Sequence, residues 1–304
     1  MTQAFVTGTI GVVVLNWFTE EETVACVRSV RSSGDTNVAV YVVDNGSTPA
    51  GRRRLESELP GAVLLGDGVN RGFAAGANAG MRRALEDGCA AVFLVNNDAI
   101  LSAGCLAALR AAEGAVVNPL IVRHDRPDVV WFAGGRVAFH GRGLHRGFGG
   151  SAAASAPTGP SSFATGCAMF LPADTIRRIG FFDESLFAYG EDLDYSLRAA
   201  EARLPIVLAG GARVLHKESV SVKRNAGKEF RDYYVVRNMV LLLRKHRGAG
   251  GLLLRLPLLV ALEVLFPAAV FLVRGETRRV HALAQGLADG LAGRAGARWP
   301  GEGG

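Results

Sequence analysis

Four short apolar runs, Ile10–Leu15, Val38–Val43, Ala62–Leu65 and Ala90–Val95, alternate with segments of helical spacing through the N-terminal third of the chain. Each run is apolar throughout rather than at every second residue, the pattern of a strand covered on both faces. Between them, Glu20–Val30 places Val24, Val27 and Val30 on one side of a helix. Ala74–Leu85 reads as a second helix, whose small residues permit close packing. Alternating strands and helices imply right-handed crossovers, hence a Rossmann-like α/β fold: a mostly parallel sheet with helices on both faces. Ligands of such sheets sit at the carboxyl ends of the strands. Asn16, Asp44 and Asn96–Asp98 each stand just past a run, so they are expected to line one cleft.

The middle of the chain is less regular. Val129–Phe139 suggests a hairpin around Gly134-Gly135. Gly141–Ser162, rich in Gly, Ala, Ser and Pro, reads as a loop that orders on ligand binding, or as a plain linker. A helix is expected to open near Glu191, because acidic side chains favour a helix N-terminus. Strands follow at Ile206–Leu208 and Arg213–Leu215, the second ending at His216.

The C-terminal part changes character. Lys228–Arg247 reads as a helix that ends in a basic run. Leu252–Val273 is strongly apolar but carries Arg255 and Glu263, is interrupted by Pro257 and Pro267, and has arginines on both flanks. A pair of helices lying in a membrane interface fits best, held by apolar burial and anionic lipid. A spanning or re-entrant helix and a buried oligomer contact are the alternatives. The expected organisation is therefore one domain over 1–225, with halves 1–118 and 119–225, and a helical region over 226–304.

Hydrophobic residues at 49% against 20% charged are enough for a sizeable core and exclude wholesale disorder. The net charge of +6 suits phosphate-bearing ligands or anionic lipid. Its clustering beside the apolar C-terminal stretch argues against nucleic acid. Cys26, Cys89, Cys105 and Cys167 are scattered, with no CxxC pair, and are expected as free thiols in a reducing compartment. The N-terminus has no basic segment ahead of its apolar run and does not read as a signal peptide.

Each chemical signal has a plainer alternative. Asp44 could accept a hydrogen bond from a nucleotide, or simply form the Asp44-Asn45-Gly46-Ser47 turn. Asn70-Arg71-Gly72-Phe73 precedes a helix whose N-terminal amides favour phosphate, with Arg71 adding charge. Asn96-Asn97-Asp98 could hold a hard cation, Mg²⁺ or Mn²⁺, or cap the next helix. His216 could be a metal ligand or an ordinary core histidine. Glu191 and Asp192 could supply a general base for an acceptor hydroxyl, or merely cap their helix.

Taken in order, VVVLNW, VVDNGS, NRGFAAGAN, LVNND, GCAMFLPADTIRRIGFFDESLFAYGEDLDYSLRA and ARVLHKES closely resemble family-two glycosyltransferases of the GT-A fold. The rhamnosyltransferase and galactofuranosyltransferase-like branch is the nearest in look. The likeness runs from Ile10 to Ser221 and weakens in YYVVRNMVLLLRKH. It implies that Asp44 contacts the nucleotide base, with Leu15 and Asn16 lining the same pocket. Asn70, Arg71, Gly72 and Phe73 would flank the nucleotide sugar and diphosphate. Asn96-Asn97-Asp98 stands at the family's DXD motif: Asp98 would bind the cation with His216, and Asn96 replaces the usual first Asp with a neutral ligand. Asp192 matches the catalytic base, and Glu191 lies beside it.

The resemblance implies an inverting, metal-dependent transfer of a sugar from a nucleotide diphosphate. dTDP-rhamnose is the first candidate, UDP-galactofuranose or another UDP-hexose the second. The acceptor would be a glycan or a lipid-linked glycan in cell-surface polysaccharide synthesis, at the inner face of a bacterial membrane. Trp131, His145 and Arg146 are candidate acceptor contacts. A non-catalytic glycan- or lipid-binding relative is the alternative. A nucleotidyltransferase fits poorly, because the place after the first strand holds acidic LNWFTEEE instead of a basic glycine-rich loop.

Overall fold

The computed structural model describes residues 7–153, 157–218 and 227–298. The N-terminal half follows the alternation expected: β1 (Ile10–Asn16), α1 (Glu20–Arg31), β2 (Val38–Asp44), α2 (Pro49–Glu58), β3 (Val63–Leu65), α3 (Gly72–Glu86) and β4 (Ala91–Asn96). Strands β1, β2, β3 and β4 pair in parallel, in the order β4-β1-β2-β3. Alternate residues of β1 feed two separate cores. Val12 and Val14 face Val24 and Val27 of α1, whereas Val13 and Leu15 face Ala77 and Met81 of α3. That is why the run carries no polar alternation. The small residues of α3 are required: a Cβ on Gly76 would lie 2.9 Å from the Leu15 side chain.

Past β4 the sheet becomes mixed. It continues through β5 (Ala99–Leu101), α4 (Cys105–Ala111), β6 (Val116–Arg123), β7 (Val130–Phe132), β8 (Gly135–Val137), β9 (Gly143–His145), β10 (Gly159–Ser161), β11 (Ala168–Pro172), α5 (Ala173–Ile179), α6 (Glu191–Glu201) and β12 (Ile206–His216). Strand β11 inserts antiparallel between β4 and β6, and β12 runs parallel to β6. Three local expectations are corrected. Val129–Phe139 is not a hairpin on itself: β7 pairs with β6, and β8 pairs with β9 across residues 138–142. The 141–162 segment contributes two short strands, β9 and β10, to sheets. The two strands expected after residue 205 are one strand, interrupted by a register shift between Ala209 and Arg213.

The boundary expected at residue 225 lies outside the described residues. Beyond it come α7 (Gly227–Leu259), broken at Gly248, a π-helical turn (Val260–Leu265), α8 (Phe266–Val273) and α9 (Thr277–Leu291). Gly248 has φ 66° and ψ −177°, an extended left-handed geometry no helix contains, and this splits α7 into two helical pieces. The first piece packs Tyr233, Tyr234 and Phe230 against Phe187 and Ala188 just ahead of α6. The second carries the apolar stretch. Gly227–Val273 is long and apolar enough to cross a membrane by length and composition, with only 22% of its most apolar window buried.

Candidate active site

The residues expected to meet a nucleotide form one hydrogen-bonded wall. Asn16, fully buried at the end of β1, donates to the Ser47 hydroxyl at 2.9 Å and accepts from the Thr23 hydroxyl at 2.7 Å. Asp44 at the end of β2 accepts from Ser47 at 2.6 Å and from Arg52 at 3.3 Å. Both Asp44 oxygens are thus engaged, and Arg52, partly exposed, covers the carboxylate. Asn45 ties this wall to the next loop: it donates to Asn70 at 3.2 Å and to the Gly72 carbonyl at 3.1 Å, and accepts from the Arg71 amide at 3.0 Å.

The expected phosphate cradle at the start of α3 is already filled by protein. The amides of Arg71, Gly72 and Ala74 donate to Asn45, Asn70 and the Phe187 carbonyl. The Arg71 guanidinium is exposed and doubly bonded to Asp67 at 2.5 and 2.8 Å. Asn70–Phe73 therefore shapes the wall; the amides at 71, 72 and 74 are not free donors.

Pairing of β5 with the end of β12 brings the metal-type residues together. Ala99 stands opposite His216, so Asp98 arrives beside it, and the Lys217 amide donates to the Asp98 carbonyl at 3.0 Å. Asp98 Oδ1 lies 3.1 Å from His216 Nε2, with both side chains buried. Two cis ligands at about 2.1 Å from a divalent ion are themselves about 3 Å apart. His216 Nδ1 has no hydrogen-bond partner. The pair is hydrogen-bonded, and its spacing and chemistry also fit two of the ligands of one divalent cation. No cluster of three or more His, Cys, Asp or Glu side chains is arranged for a metal among the described residues, so the rest of a shell would come from diphosphate and water. Burial opposes a charge on His216, yet Cys167 and Asp98 beside it raise its imidazole well above the ordinary range.

Asn97 turns the other way. It donates to the Thr19 hydroxyl at 2.7 Å and the Thr23 hydroxyl at 3.0 Å, pinning the start of α1. Asn96 stays half-buried at the strand end, its amide bonded to the Cys167 carbonyl at 2.8 Å.

Asp192 sits in the first turn of α6. Its Oδ2 accepts the Gly166 amide at 3.0 Å and its Oδ1 the Leu193 amide at 2.8 Å. These bonds fix the carboxylate but leave lone pairs free on each oxygen. Burial raises the Asp192 carboxyl above its ordinary range despite them. Glu191 is buried beside it, with Oε2 unpartnered, and burial together with the neighbouring Asp192 pushes it well above the carboxylate range.

Residues 166 and 167, absent from the sequence-based site, are where these parts meet. Gly166 holds Asp192, and a Cβ placed on it would lie 3.6 Å from Phe73 and 3.5 Å from the Asp192 Cβ. Cys167 holds Asn96 through its carbonyl, and its thiol interacts with His216. The signal available was GCA opening an apolar run, a glycine ahead of a strand with no obvious turn to make.

Two of the acceptor candidates join this cluster. The Trp131 ring is 4.6 Å from the His216 ring and 4.5 Å from that of His145, edge-on in both cases. His145 donates from Nδ1 to the Trp131 carbonyl at 3.2 Å, and burial holds its imidazole below the ordinary range. Arg146 is exposed and bonded to the Pro160 carbonyl at 2.6 Å, outside the cluster.

Solved structures share this architecture. A mannosyltransferase from Pyrobaculum calidifontis in complex with GDP-Man and Mn²⁺ is similar at 16% identity and TM-score 0.56, over 93% of this chain and 86% of that one. GalNAc-T7 with UDP, GalNAc and Mn²⁺ is similar at 14% identity and TM-score 0.56 over 68% of this chain, which spans only 43% of that longer protein. S. aureus TarS 1–349 is similar at 13% identity and TM-score 0.51, over 94% of this chain and 92% of the other. At these identities the likeness establishes the fold alone. No curated protein sequence matches the chain. The model of the glycosyl transferase family 2 matches residues 9–169, more than half the chain and the whole span from β1 into β11, and the protein belongs to that family.

Proposed function

We propose that the protein is an inverting glycosyltransferase that takes a sugar from a nucleotide diphosphate with the help of one divalent cation. The observation that carries this reading is the junction at Gly166-Cys167, where an amide-held carboxylate, the Asp98–His216 pair and Phe73 of the donor wall come into contact. Asp192 takes the proton of an acceptor hydroxyl as that oxygen attacks the anomeric carbon, and the bond to the diphosphate breaks on the opposite side. A single displacement of this kind inverts the anomeric centre. Glu191, whose carboxyl is raised well above the ordinary range by burial and by Asp192, lies beside the acceptor. Asp98 and His216 would hold the cation, which supplies charge stabilisation to the leaving diphosphate. Asp44 and Asn16 meet the nucleoside, which displaces Arg52 from Asp44. Trp131 and His145 provide an apolar face for the acceptor sugar.

The donor is dTDP-rhamnose or a UDP-hexose such as UDP-galactofuranose, by resemblance. The acceptor is a glycan or a lipid-linked glycan of a bacterial surface polysaccharide, met at the inner membrane face. Support for the membrane comes from the C-terminal helices. Leu253, Leu254, Pro257, Leu258, Ala261, Leu262, Leu265, Phe266, Ala269, Leu272 and Val273 are all exposed and form one stripe at helical spacing, free of charge. Neither charge within the apolar stretch lies on the stripe. Glu263 is buried against His140 at 3.1 Å and against Arg142, and Arg255 lies 4.6 Å over the Phe139 ring. A helix that spanned a bilayer would carry these partners of the catalytic domain into hydrocarbon, so the stripe lies on the membrane and does not cross it.

The test is thermal unfolding of the full chain with UDP, dTDP and GDP, each with and without Mn²⁺. A Mn²⁺-dependent rise of the midpoint with one nucleotide, lost in Asp98→Ala, is expected. No shift with any nucleotide diphosphate removes the donor site and leaves the non-catalytic binding reading; a product with retained configuration removes the single displacement.

A further inference from the structure

The loop that delivers Glu191 and Asp192 is bent against its own preference. Phe187 has φ 64° and ψ −66°, and the Ala188 amide donates to the Leu186 carbonyl at 2.8 Å. This is the rarer, positive-φ form of the three-residue γ-turn. Tyr189 follows at φ 63° and Gly190 at φ 94°. Two aromatic residues at positive φ persist only where their surroundings over-determine them, and such sites cluster at functional loops.

Helix α7 supplies that constraint. Asn238 is buried and its amide donates to three carbonyls of the loop: Leu186 at 3.0 Å, Ala188 at 2.9 Å and Tyr189 at 2.5 Å. Fully buried Arg237 donates from Nε to Asn238 Oδ1 at 2.9 Å, which fixes the direction in which the amide points. The same guanidinium donates to the Leu186 carbonyl at 2.9 Å and lies 4.5 Å over the Tyr234 ring. The far side of the loop reaches the donor wall. The Phe187 carbonyl accepts the Ala74 amide at 3.2 Å, and a Cβ on Gly72 would come within 2.5 Å of that carbonyl. One strained turn thus touches α3, leads into α6 and is held by α7.

We infer that Asn238, oriented by Arg237, is a positioning residue: through the turn at Leu186–Tyr189 it sets the Glu191-Asp192 carboxylates and the Asn70–Phe73 wall relative to each other. Its kinetic consequence rests on the transferase reading; its structural consequence does not. The C-terminal helical region is then part of the catalytic unit as well as the support of the membrane face. Without the Asn238 amide, the Ala188 and Tyr189 carbonyls lose its hydrogen bonds, the Leu186 carbonyl keeps only Arg237 and the Ala188 amide, and the turn loses bonds that hold it at positive φ.

The experiment compares the full-length parent with Asn238→Ala and the milder Asn238→Ser, which keeps one donor. Amide exchange is followed at Ala74, bonded to the turn, and at Gly166, bonded to Asp192. Both amides are expected to exchange about tenfold faster or more, with β1 and α9 still protected. Transfer or hydrolysis of a UDP- or dTDP-sugar with Mn²⁺ is expected to lose roughly 100-fold in kcat, while the nucleotide Kd moves less than about threefold. Tyr189→Gly, which removes the penalty at φ 63°, is expected to restore part of the rate in the Asn238→Ser background. Unchanged exchange at Ala74 and Gly166 overturns the inference, as does a uniform loss of protection across the chain with nucleotide affinity and kcat falling together. Should Asn238→Ala fail to fold, Asn238→Ser decides by the same readouts. A parent that turns over no nucleotide sugar counts against the proposed function alone, because the exchange arm still decides the role of Asn238.

Discussion

Replacing Leu254 and Leu265 together by serine tests the membrane face directly. The two side chains are 65% and 61% exposed, sit on the stripe and belong to no hydrophobic core cluster among the described residues. Full burial of a leucine is worth about 1.5–3 kcal/mol, so two-thirds of each side chain is worth about 1–2 kcal/mol against a bilayer. The pair then accounts for about 2–4 kcal/mol, or roughly 30-fold to several hundred-fold in partitioning at 1.4 kcal/mol per factor of ten. Interfacial burial is shallower than burial in a core, which favours the lower end. Folding should change by less than about 0.5 kcal/mol per site, because exposed positions carry little of it.

The assay is co-sedimentation of the full chain with vesicles of phosphatidylcholine and phosphatidylglycerol, over a range of salt. The parent should bind, and the double variant should bind at least about 30-fold more weakly with an unchanged unfolding midpoint. Salt should weaken both equally, since the arginines at 274 and 278 remain. Equal binding by parent and variant refutes the reasoning. A parent that ignores vesicles but is a dimer, made monomeric by the substitutions, identifies the stripe as an oligomer contact instead.

Asp192→Asn should lower kcat by roughly 10²–10⁴ with nucleotide binding intact, measured by transfer from the donor the unfolding panel selects. On the proposed mechanism Asp192 works as a base only when ionised, and burial raises its carboxyl. Activity should therefore fall on the acid side with an apparent pKa above about 4, a value belonging to the Glu191–Asp192 pair. Asp194, fully buried, is bonded to Arg198 at 2.8 Å, Lys245 at 2.8 Å and His246 at 2.9 Å, so Asp194→Asn should cost about 3 kcal/mol in urea unfolding. Burial would raise Asp194, but His246 and Lys245 hold it well below the carboxylate range, and the bond to Asp194 raises His246. The stabilisation from Asp194 is present above about pH 3.9 and lost as pH falls through its folded value; that from His246 is present below about pH 6.5 and lost as pH rises through its raised value. Parent stability relative to Asp194→Asn should therefore be greatest between these limits.

The parallel half of the fold was legible because strands buried on both faces appear in a sequence as unbroken apolar runs. Asn16 and Asp44 then stand at the ends of β1 and β2, and Asp98 just past β4, where the strand-end rule looks for ligand contacts. What the sequence hid was non-local. Strand β5 has three residues and is recognisable only from its pairing with β12, yet that pairing joins Asp98 to His216. The register shift at Ala209–Arg213 made one strand look like two. Arg255 and Glu263 looked like blemishes in an apolar segment because a linear pattern does not show which side of a helix a charge faces. Their partners Phe139, His140 and Arg142 lie more than a hundred residues away. Arg237-Asn238 did carry a signal: two polar residues inside an apolar helix, which must find hydrogen bonds if the helix is buried.

The chemistry at Asn96 gives the site a direction of assembly. A first carboxylate at the strand end would join Asp98 to present two negative charges to a cation before any donor arrives. With Asn96 neutral, the protein contributes one carboxylate and one imidazole, so a divalent ion finds little net negative charge before a diphosphate arrives. On the proposed transferase reading, the donor diphosphate supplies what is missing. Cation and nucleotide should therefore bind with strong mutual coupling, and by linkage each must raise the other's affinity by the same factor. Mn²⁺ alone should shift the unfolding midpoint little, a nucleotide alone modestly through the Asp44–Asn16 wall, and the two together by more than the sum. Additive shifts would mean that the cation has a complete site without the diphosphate, and that ligands beyond Asp98 and His216 hold it.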